Sequence, residues 1–425
     1  MVRILHYSDI ENGLDDPERA AKLAAALQEP EDAIIVGSGD MLAPSALANE
    51  CEGTHTIPLF EAIQPDAETL GNHDFGHGIG NLEHIVRKSP QPWISANIDL
   101  PNVDTPASIV IERDGTKVGI TGVSTPGDIS KRRRGVRGRS PIKTAQQETQ
   151  SLRRYCDYVV ILSHTKNSTT TALAESTAAD IVCAGHVSSN RIEEVENTYI
   201  VRPTAGAKLV TDVDLRERIA EFRSIPTWTP DTTVYAQVKK LYEKSGLNEV
   251  ITHTETPIPR DREKIYAGDS VAAQFVSKAT GWAANADIGV VDSGGIRSGP
   301  ELVGDITIGE VRGIYPFQAP ISIFDLSGKE LEELVRTTIR PERDPNNPVH
   351  AYFSGLAVDW TDNGIKNITV DSTSVVGEQQ YTVATSTYVA RRYILDSLVS
   401  EQKRGGPLYS DTLTAYARNV GLSHL

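Results

Sequence analysis

Residues 33–41 read AIIVGSGDM. A short apolar run ends in a glycine-bearing turn, and a carboxylate, Asp40, stands just beyond it. This reads as a buried strand that delivers a hard ligand from its carboxyl end. The pattern recurs around it. Asp9 follows the apolar run 4–7 in HYSDIEN, and Asn72, His73 and Asp74 sit in LGNHDFG. His164 closes ILSHTKN after the run 159–162, and His186 lies in CAGHVSS after 180–184. Singly, each has an ordinary explanation: an Asp past a strand caps a helix, and a lone His is a hydrogen-bonded structural residue. Five of them in one arrangement point to a shared site. Loops past the carboxyl ends of strands in an α/β sheet converge on one crevice. Carboxylates, an amide oxygen and imidazoles meeting there suit divalent metals. Two ions about 3.5–4 Å apart that share a carboxylate can hold a phosphate and activate a water for in-line attack.

The surrounding sequence supplies the scaffold. Residues 17–28 (PERAAKLAAALQ) carry Ala and Leu at helical spacing, with Pro17 suited to a first turn. Alternating strands and helices predict an α/β domain with helices outside a sheet. Residues 107–112 and 117–121 flank Asp114-Gly115, a hairpin signal. Near 222–233 (FRSIPTWTPDTT) the composition turns to Pro and Thr, and a helix over 234–245 ends at Gly246. The expected division is therefore a first domain over 1–228, a connector helix over 229–248 and a second domain over 249–425. In the second half, helices near 268–279 and 328–339 and strands at 288–291, 321–326, 355–360 and 381–385 make an α+β pattern.

Composition narrows the function. The chain has 425 residues, too many for one ordinary core. Its 42 Lys+Arg against 57 Asp+Glu give a formal charge of −15, which argues against a stable nucleic-acid partner. No run of about 18 apolar residues predicts a membrane span. Lys is scarce (15, against 27 Arg), which fits either a surface solvated in high salt or an ordinary acidic protein. Cys51, Cys156 and Cys183 are an odd, widely spaced set that forms neither a zinc knuckle nor a disulfide framework. With no leader-like segment at the start, a cytoplasmic location is the expectation.

Asp9, Gly39-Asp40, Gly71-Asn72-His73-Asp74, Ser163-His164 and Gly185-His186 together resemble the calcineurin-like metallophosphoesterase signature. VVDSGGIRSG (290–299), YPFQAP (315–320), ISIFDLSGKELEELV (321–335), FSGLAVDW (353–360) and YTVATSTYVA (381–390) resemble the C-terminal domain of the bacterial-type 5'-nucleotidase family. The resemblance implies an N-terminal αββα sandwich followed by a smaller α+β substrate-binding domain. It implies a metal-dependent phosphohydrolase that releases phosphate from nucleotides by attack of a metal-activated water. A cyclic-nucleotide or nucleotide-sugar phosphodiesterase is the alternative, as is a non-catalytic nucleotide binder with one degenerate metal site. It implies two divalent ions, Mn²⁺ or Mg²⁺ first and Zn²⁺ or Co²⁺ as alternatives. Asp40 would bridge them, Asn72, His164 and His186 would complete one site, and Asp9 would belong to the other. His73 would stabilise charge on the phosphate or leaving oxygen, with Asp74 holding its other ring nitrogen. Arg297 would contact the nucleotide, and Phe317 would stack on the base.

Four departures from that pattern matter. Glu11 stands where the first motif usually has His, and Ser188 where the last does. The first metal position is left with Asp9, Asp40 and Glu11 or Asn12, an oxygen-rich set that favours Mn²⁺ or Mg²⁺. Asp292 replaces the usual Asn before the Gly-Gly-Ile-Arg, which puts Asp292 at the substrate. Arg391-Arg392-Tyr393 replaces a glycine-rich loop bearing the second stacking aromatic, which leaves Tyr388 or Tyr393 for that place. Last, Lys131-Arg132-Arg133-Arg134, with Arg137 and Arg139, is either a solvated loop or an anion-steering one. Nothing in the sequence speaks to oligomeric state.

Overall fold

The computed structural model describes residues 2–130, 136–342, 348–394 and 404–422. The chain divides into two compact units, Met1–Ser245 and Gly246–Leu425.

The first unit is built on two six-stranded sheets. One runs in the order Ile219–Ser224, Leu209–Asp214, Arg3–Tyr7, Ile34–Gly37, Ala67–Thr69, Trp93–Ile94. Its last four strands are parallel. The other runs Arg191–Val195, Thr198–Arg202, Ile181–Ala184, Tyr158–His164, Thr116–Ser124, Ser108–Arg113, with a parallel centre. Strand residues alternate faces, so each sheet presents an inner and an outer apolar side. The inner sides meet in one core, where Ile4, Ile34, Val36 and Ala67 from the first sheet pack with Val118, Ile120, Val160, Leu162 and Cys183 from the second. Outside the second sheet, Val123, Ile161, Val182 and Ile200 bury against Ala145, Leu173 and Ala174 of two helices, Pro141–Leu152 and Asn167–Ser176. The result is the expected αββα sandwich, with Asp114-Gly115 turning the hairpin of Ser108–Arg113 and Thr116–Ser124.

The stretch expected to separate the domains is structured. Leu209–Asp214 and Ile219–Ser224 pair antiparallel and close the edge of the first sheet beside Arg3–Tyr7. The helix Thr232–Lys244, capped by Asp231, packs on Pro17–Leu27 within the first unit. Pro and Thr at 226–233 mark a turn into this helix, not the end of the unit.

The second unit centres on a five-stranded sheet, Ala351–Ser354, Ile288–Asp292, Gln380–Ser386, Pro320–Ser327, Arg404–Leu408. Helix Val271–Ala284 covers one face through Ala272, Phe275, Val276 and Ala279, and Gly328–Thr338 covers the other through Leu331, Leu334 and Val335. The latter helix starts in a capping box, Ser327 with Glu330, so two orphan N–H groups are satisfied at its N-terminus. The two units are the mixed α/β and α+β domains expected. Cys156 and Cys183 are buried free thiols.

Candidate metal centre

All the parallel strands of the first unit end on one side, and the predicted ligands sit just past those ends. Asp9 follows Arg3–Tyr7, Asp40 follows Ile34–Gly37, Asn72 follows Ala67–Thr69, His164 closes Tyr158–His164 and His186 follows Ile181–Ala184. Both sheets contribute, so the site lies where the two layers meet. Backbone conformation marks it as well. Asp9, Glu11, Asp40 and His186 have φ of 51°, 46°, 56° and 71°. Non-glycine residues in the left-handed region are uncommon and gather where a site over-determines them. Two glycines explain part of that tightness. A Cβ on Gly71 would lie 2.1 Å from Asp40 Oδ1, and one on Gly185 would lie 2.1 Å from Ser8 Oγ and 2.7 Å from Asp9 Oδ2. Each ligand loop therefore passes a neighbour too closely for any side chain.

The centre of the cluster is His164, fully buried. Its Nδ1 lies 2.8 Å from the Ser38 carbonyl. A carbonyl only accepts, so Nδ1 carries the proton and donates. Nε2 then faces Asp40 Oδ2 at 3.0 Å, Asn72 Oδ1 at 3.3 Å and His186 Nδ1 at 3.3 Å. Donors bound to one ion at about 2.0–2.2 Å stand about 3.0–3.4 Å from one another. The three spacings from Nε2 are those of donors that share one divalent ion, and the four atoms are of three chemical kinds that ligate metals. His186 and Asp40 join His164 in one triad of ligand atoms, and Asp40 joins Glu11 and His73 in another. Asp40 is the shared member.

Asp9 stands outside both triads. Its oxygens accept the His186 backbone N–H at 3.1 and 3.0 Å and the Ser8 hydroxyl at 2.6 Å. In this arrangement it anchors the His186 loop. Asp74 is committed elsewhere than to the His73 ring, where the resemblance would put it. Its Oδ1 accepts from the N–H groups of Met41 and Leu42, at 2.8 and 2.9 Å, and its Oδ2 from those of Asp40 and Gly71, at 3.1 and 2.7 Å. A carboxylate offers about four lone-pair directions, and all four are used. Asp74 fixes the loop that carries Asp40. The His73 backbone N–H, for its part, donates to Asp40 Oδ1 at 2.7 Å.

Charge follows this geometry. Burial works to raise Asp40, but the positive charges of His164 and His73 outweigh it and hold its carboxyl well below the usual range. Burial likewise opposes a charged His164, yet Asp40 and then Asp9 push it up to about 10. Burial pushes Asp9 up to about 6, with His164 opposing and Asp40 adding. Burial and the charge of Asp40 push Asp74 up to about 7 against its backbone donors.

Three supporting residues escaped the sequence reading. Ser38 accepts from His164 through its carbonyl, and its hydroxyl donates to the Cys183 carbonyl at 2.7 Å. Glu68, fully buried, accepts the Gly39 N–H at 3.0 Å and the Tyr7 hydroxyl at 2.8 Å. Arg202, 1% exposed, donates to Asn167 Oδ1 at 2.6 Å and to Ser189 at 3.4 Å, tying the loops after His164 and His186.

The second unit holds the remaining predicted residues. Arg297 donates to the Gly294 carbonyl at 2.8 Å, with its guanidinium 5.2 Å from the centre of the Phe317 ring. Phe317 stands edge-on to Tyr315, centroids 4.9 Å apart, and the Tyr315 hydroxyl donates to Asp292 Oδ1 at 3.0 Å. Arg297, Phe317 and Asp292 are thus joined through Tyr315. Tyr388 is 43% exposed and meets Arg392. Lys131 to Arg134 lie outside the described residues. Arg139 is paired with Asp99 and donates to the Ala96 carbonyl at 2.8 Å, so it holds structure. Among the described residues no helix is long and apolar enough to cross a membrane.

A two-sheet sandwich with carboxylates, an amide and imidazoles gathered at its strand ends defines a metallophosphoesterase. Residues 2–189 match the calcineurin-like phosphoesterase family, and residues 250–392 match the 5'-nucleotidase C-terminal domain. The chain thus carries a calcineurin-like phosphoesterase domain followed by a 5'-nucleotidase C-terminal domain. An apyrase from Tabanus yao is 24% identical over 364 residues, 72% of this chain and 64% of its own length. The trifunctional nucleotide phosphoesterase YfkN of Bacillus subtilis is 23% identical over 395 residues, 78% of this chain but 27% of its own length. The chain therefore spans less than two thirds of either relative. A crystal structure of a 5'-nucleotidase precursor from Thermus thermophilus shares the fold, with TM-score 0.82 at 18% identity over 99% of this chain and 96% of that one.

Proposed function

We propose that the protein is a metal-dependent phosphohydrolase that releases phosphate from nucleotides. The observation that carries this is the convergence of Asp40 Oδ2, Asn72 Oδ1 and His186 Nδ1 on His164 Nε2 within 3.0–3.3 Å. Asp40, Asn72, His164 and His186 would hold one divalent ion, and Glu11 with Asp40, beside Asp9, would hold a second. When bound, such ions polarise the phosphorus–oxygen bonds and lower the pKa of a water. The chain's own groups do the rest. Ser38 fixes the tautomer of His164, and Asp74 fixes the Asp40 loop. His73, its backbone tied to Asp40, places an imidazole to stabilise charge on the phosphate or leaving oxygen. Arg297, Phe317, Asp292 and Tyr388 grip the nucleotide, Phe317 by stacking on its base.

The carboxylate-rich position around Glu11 and Asp40 supports Mn²⁺ or Mg²⁺ over Zn²⁺. Three free thiols with no partner among them fit a reducing compartment, and we assign the protein to the cytoplasm and to nucleotide breakdown. The test is phosphate release from a nucleotide panel with Mn²⁺, Mg²⁺, Zn²⁺ or Co²⁺, with and without EDTA, for the native chain and His73→Ala. Metal-dependent release that His73→Ala lowers without loss of bound metal is expected. No release from any nucleotide would make the chain a binder.

A further inference from the structure

His6 is a fully buried histidine outside both groups of candidate ligands. It sits inside the strand Arg3–Tyr7, where an apolar side chain would bury at less cost. Both of its ring nitrogens are matched. Nε2 lies 2.9 Å from the Ser38 hydroxyl and Nδ1 lies 3.2 Å from that of Thr211. The proton positions follow from the far end of this chain of bonds. Ser38 Oγ is 2.7 Å from the Cys183 carbonyl, which only accepts, so the hydroxyl spends its one proton there. Toward His6 the hydroxyl can only accept, so Nε2 carries the ring proton and Nδ1 accepts from Thr211. Burial, with the charge of Arg202 adding, pushes the imidazole down to about 3, so near neutral pH the ring is uncharged.

Ser38 is where these bonds meet the metal centre. Its backbone N–H donates to the Tyr7 carbonyl at 3.1 Å, its hydroxyl joins His6 to Cys183, and its carbonyl accepts from His164 Nδ1 at 2.8 Å. Four strands are thereby tied at one residue, Arg3–Tyr7 and Ile34–Gly37 from one sheet and Ile181–Ala184 and Tyr158–His164 from the other. Glycines flank it on both sides. A Cβ on Gly37 would lie 1.9 Å from Glu68 Oε2, and Gly39 has φ of 82°. A Gly-Ser-Gly backbone has little torsional restraint of its own. The direction of the Ser38 carbonyl therefore depends on what the Ser38 side chain holds. A carbonyl free to swing would let the His164 ring turn Nε2 away from Asp40, Asn72 and His186.

We propose that His6 is a positioning residue for the ion held at His164. It acts through the Ser38 hydroxyl, which fixes the carbonyl that sets the tautomer and angle of the His164 ring. Its effect is on ion affinity, with no contact to substrate. Outer partners of this kind keep ligands in the geometry an ion needs, and losing one costs about ten- to a hundredfold in affinity. The inference rests on the metal-centre half of the proposed function and is independent of whether nucleotides are turned over.

The test is calorimetric titration of Mn²⁺ into the full chain after EDTA treatment and desalting, for the native protein, His6→Phe, His6→Gln, Ser38→Ala and the pair His6→Phe with Ser38→Ala. His6→Phe keeps a ring but no donor and should weaken the tighter ion by about ten- to a hundredfold. His6→Gln keeps an N–H donor at about the reach of Nε2 and should recover most of that loss. Ser38→Ala should weaken the ion as well, and the pair no more than the worse single change, because both remove the same contact. Phosphate release should follow the same order at limiting Mn²⁺, with KM for adenosine 5'-monophosphate unchanged at saturating Mn²⁺. A merely structural role for His6 would lower Tm and leave the Mn²⁺ affinity of the folded variants native, which would overturn the proposal. Additive losses in the pair, or a raised KM at saturating Mn²⁺, would overturn it too. If His6→Phe does not fold, Ser38→Ala and His6→Gln decide: native affinity in Ser38→Ala overturns the proposal, and a loss there with near-native affinity in His6→Gln supports it. A native chain that binds no Mn²⁺ would sink the metal centre and the role of His6 together. Binding as described without phosphate release would sink hydrolysis alone and leave the role of His6 standing.

Discussion

The two candidate groups of metal-binding side chains are built very differently in this chain. Around His164, the donors Asp40, Asn72 and His164 are buried and His186 is half-buried, and hydrogen bonds tie the backbone or second ring atom of several of them. Nδ1 of His164 donates to Ser38, the Asp40 loop is pinned by Asp74, and the His186 backbone is pinned by Asp9. Around Glu11 there is a half-buried carboxylate, the shared Asp40 and the half-buried His73, while Asp9 spends its oxygens on the neighbouring loop. The first is a preorganised nitrogen–oxygen site and the second an oxygen-weighted one with looser support. Preorganisation costs nothing at the moment of binding, so the first should bind tightly and the second weakly and selectively.

The most direct way to break this contrast is to remove a ligand from each side. His164→Ala should abolish tight metal binding and lower phosphate release by about a thousandfold or more, since a lost Lewis acid forfeits several kcal/mol at the transition state. Glu11→Gln should leave one tightly held ion per chain and lower release by about tenfold, with the loss recovered as Mn²⁺ is raised. Metal content after gel filtration and release rates across an Mn²⁺ series would check both. Equal losses of bound metal in the two variants would show that the positions are one cooperative unit.

Asp74→Asn sharpens the comparison from behind. The amide turns an NH₂ toward backbone N–H groups that had two acceptor lone pairs there, so donors confront donors around the loop that carries the shared Asp40. Leaving buried donors unmet costs about 1–3 kcal/mol each. A fall in Tm of several degrees is expected, with both ions weakened by about ten- to a hundredfold, the usual range for groups that orient ligands. Thermal melts and metal titrations of the same samples read it. A variant that melts as before but loses activity would return Asp74 to the His73 ring.

Much of this was legible in the sequence, for a physical reason. A metal needs donors with lone pairs, a parallel strand delivers them at its carboxyl end, and both leave marks that one chain shows: an apolar run, a glycine, then Asp, Asn or His. Asp40, Asn72, His164 and His186 carry those marks and meet in space. Asp9 and Asp74 carry the same marks but spend their oxygens on backbone N–H groups, and residue type alone does not separate a ligand from an anchor. Glu68, Ser38 and Arg202 were illegible because their partners are far away in the chain for each key contact, such as Gly39 for Glu68 and Ser38 for His164. The division between units falls later than the composition suggests, after Ser245. Pro and Thr near 226–233 mark a turn equally well inside a domain or between two, and the strands before it pair with Arg3–Tyr7 across the whole unit.

The gentlest test concerns Glu68, which supports the well-built position through Gly39. Burial pushes its carboxyl up to about 8, against the Gly39 N–H and the Tyr7 hydroxyl. In the unfolded chain it titrates near the ordinary value of about 4.3. Between those values the native state holds a proton that the unfolded state has lost, so this group's contribution to stability falls as pH rises from about 4.3 to 8, by at most about 1.4 kcal/mol per pH unit. Glu68→Gln is neutral at every pH, keeps an oxygen for the Gly39 N–H, and lets the Tyr7 hydroxyl turn and accept from the amide. Its stability should match the native chain near pH 5 and exceed it near pH 8, giving a flatter curve of urea midpoint against pH. Parallel curves would mean that Glu68 is ionised throughout. The Asp40 loop would then rest on a charged acceptor, and the contrast between the two ion positions would owe more to charge than to shape.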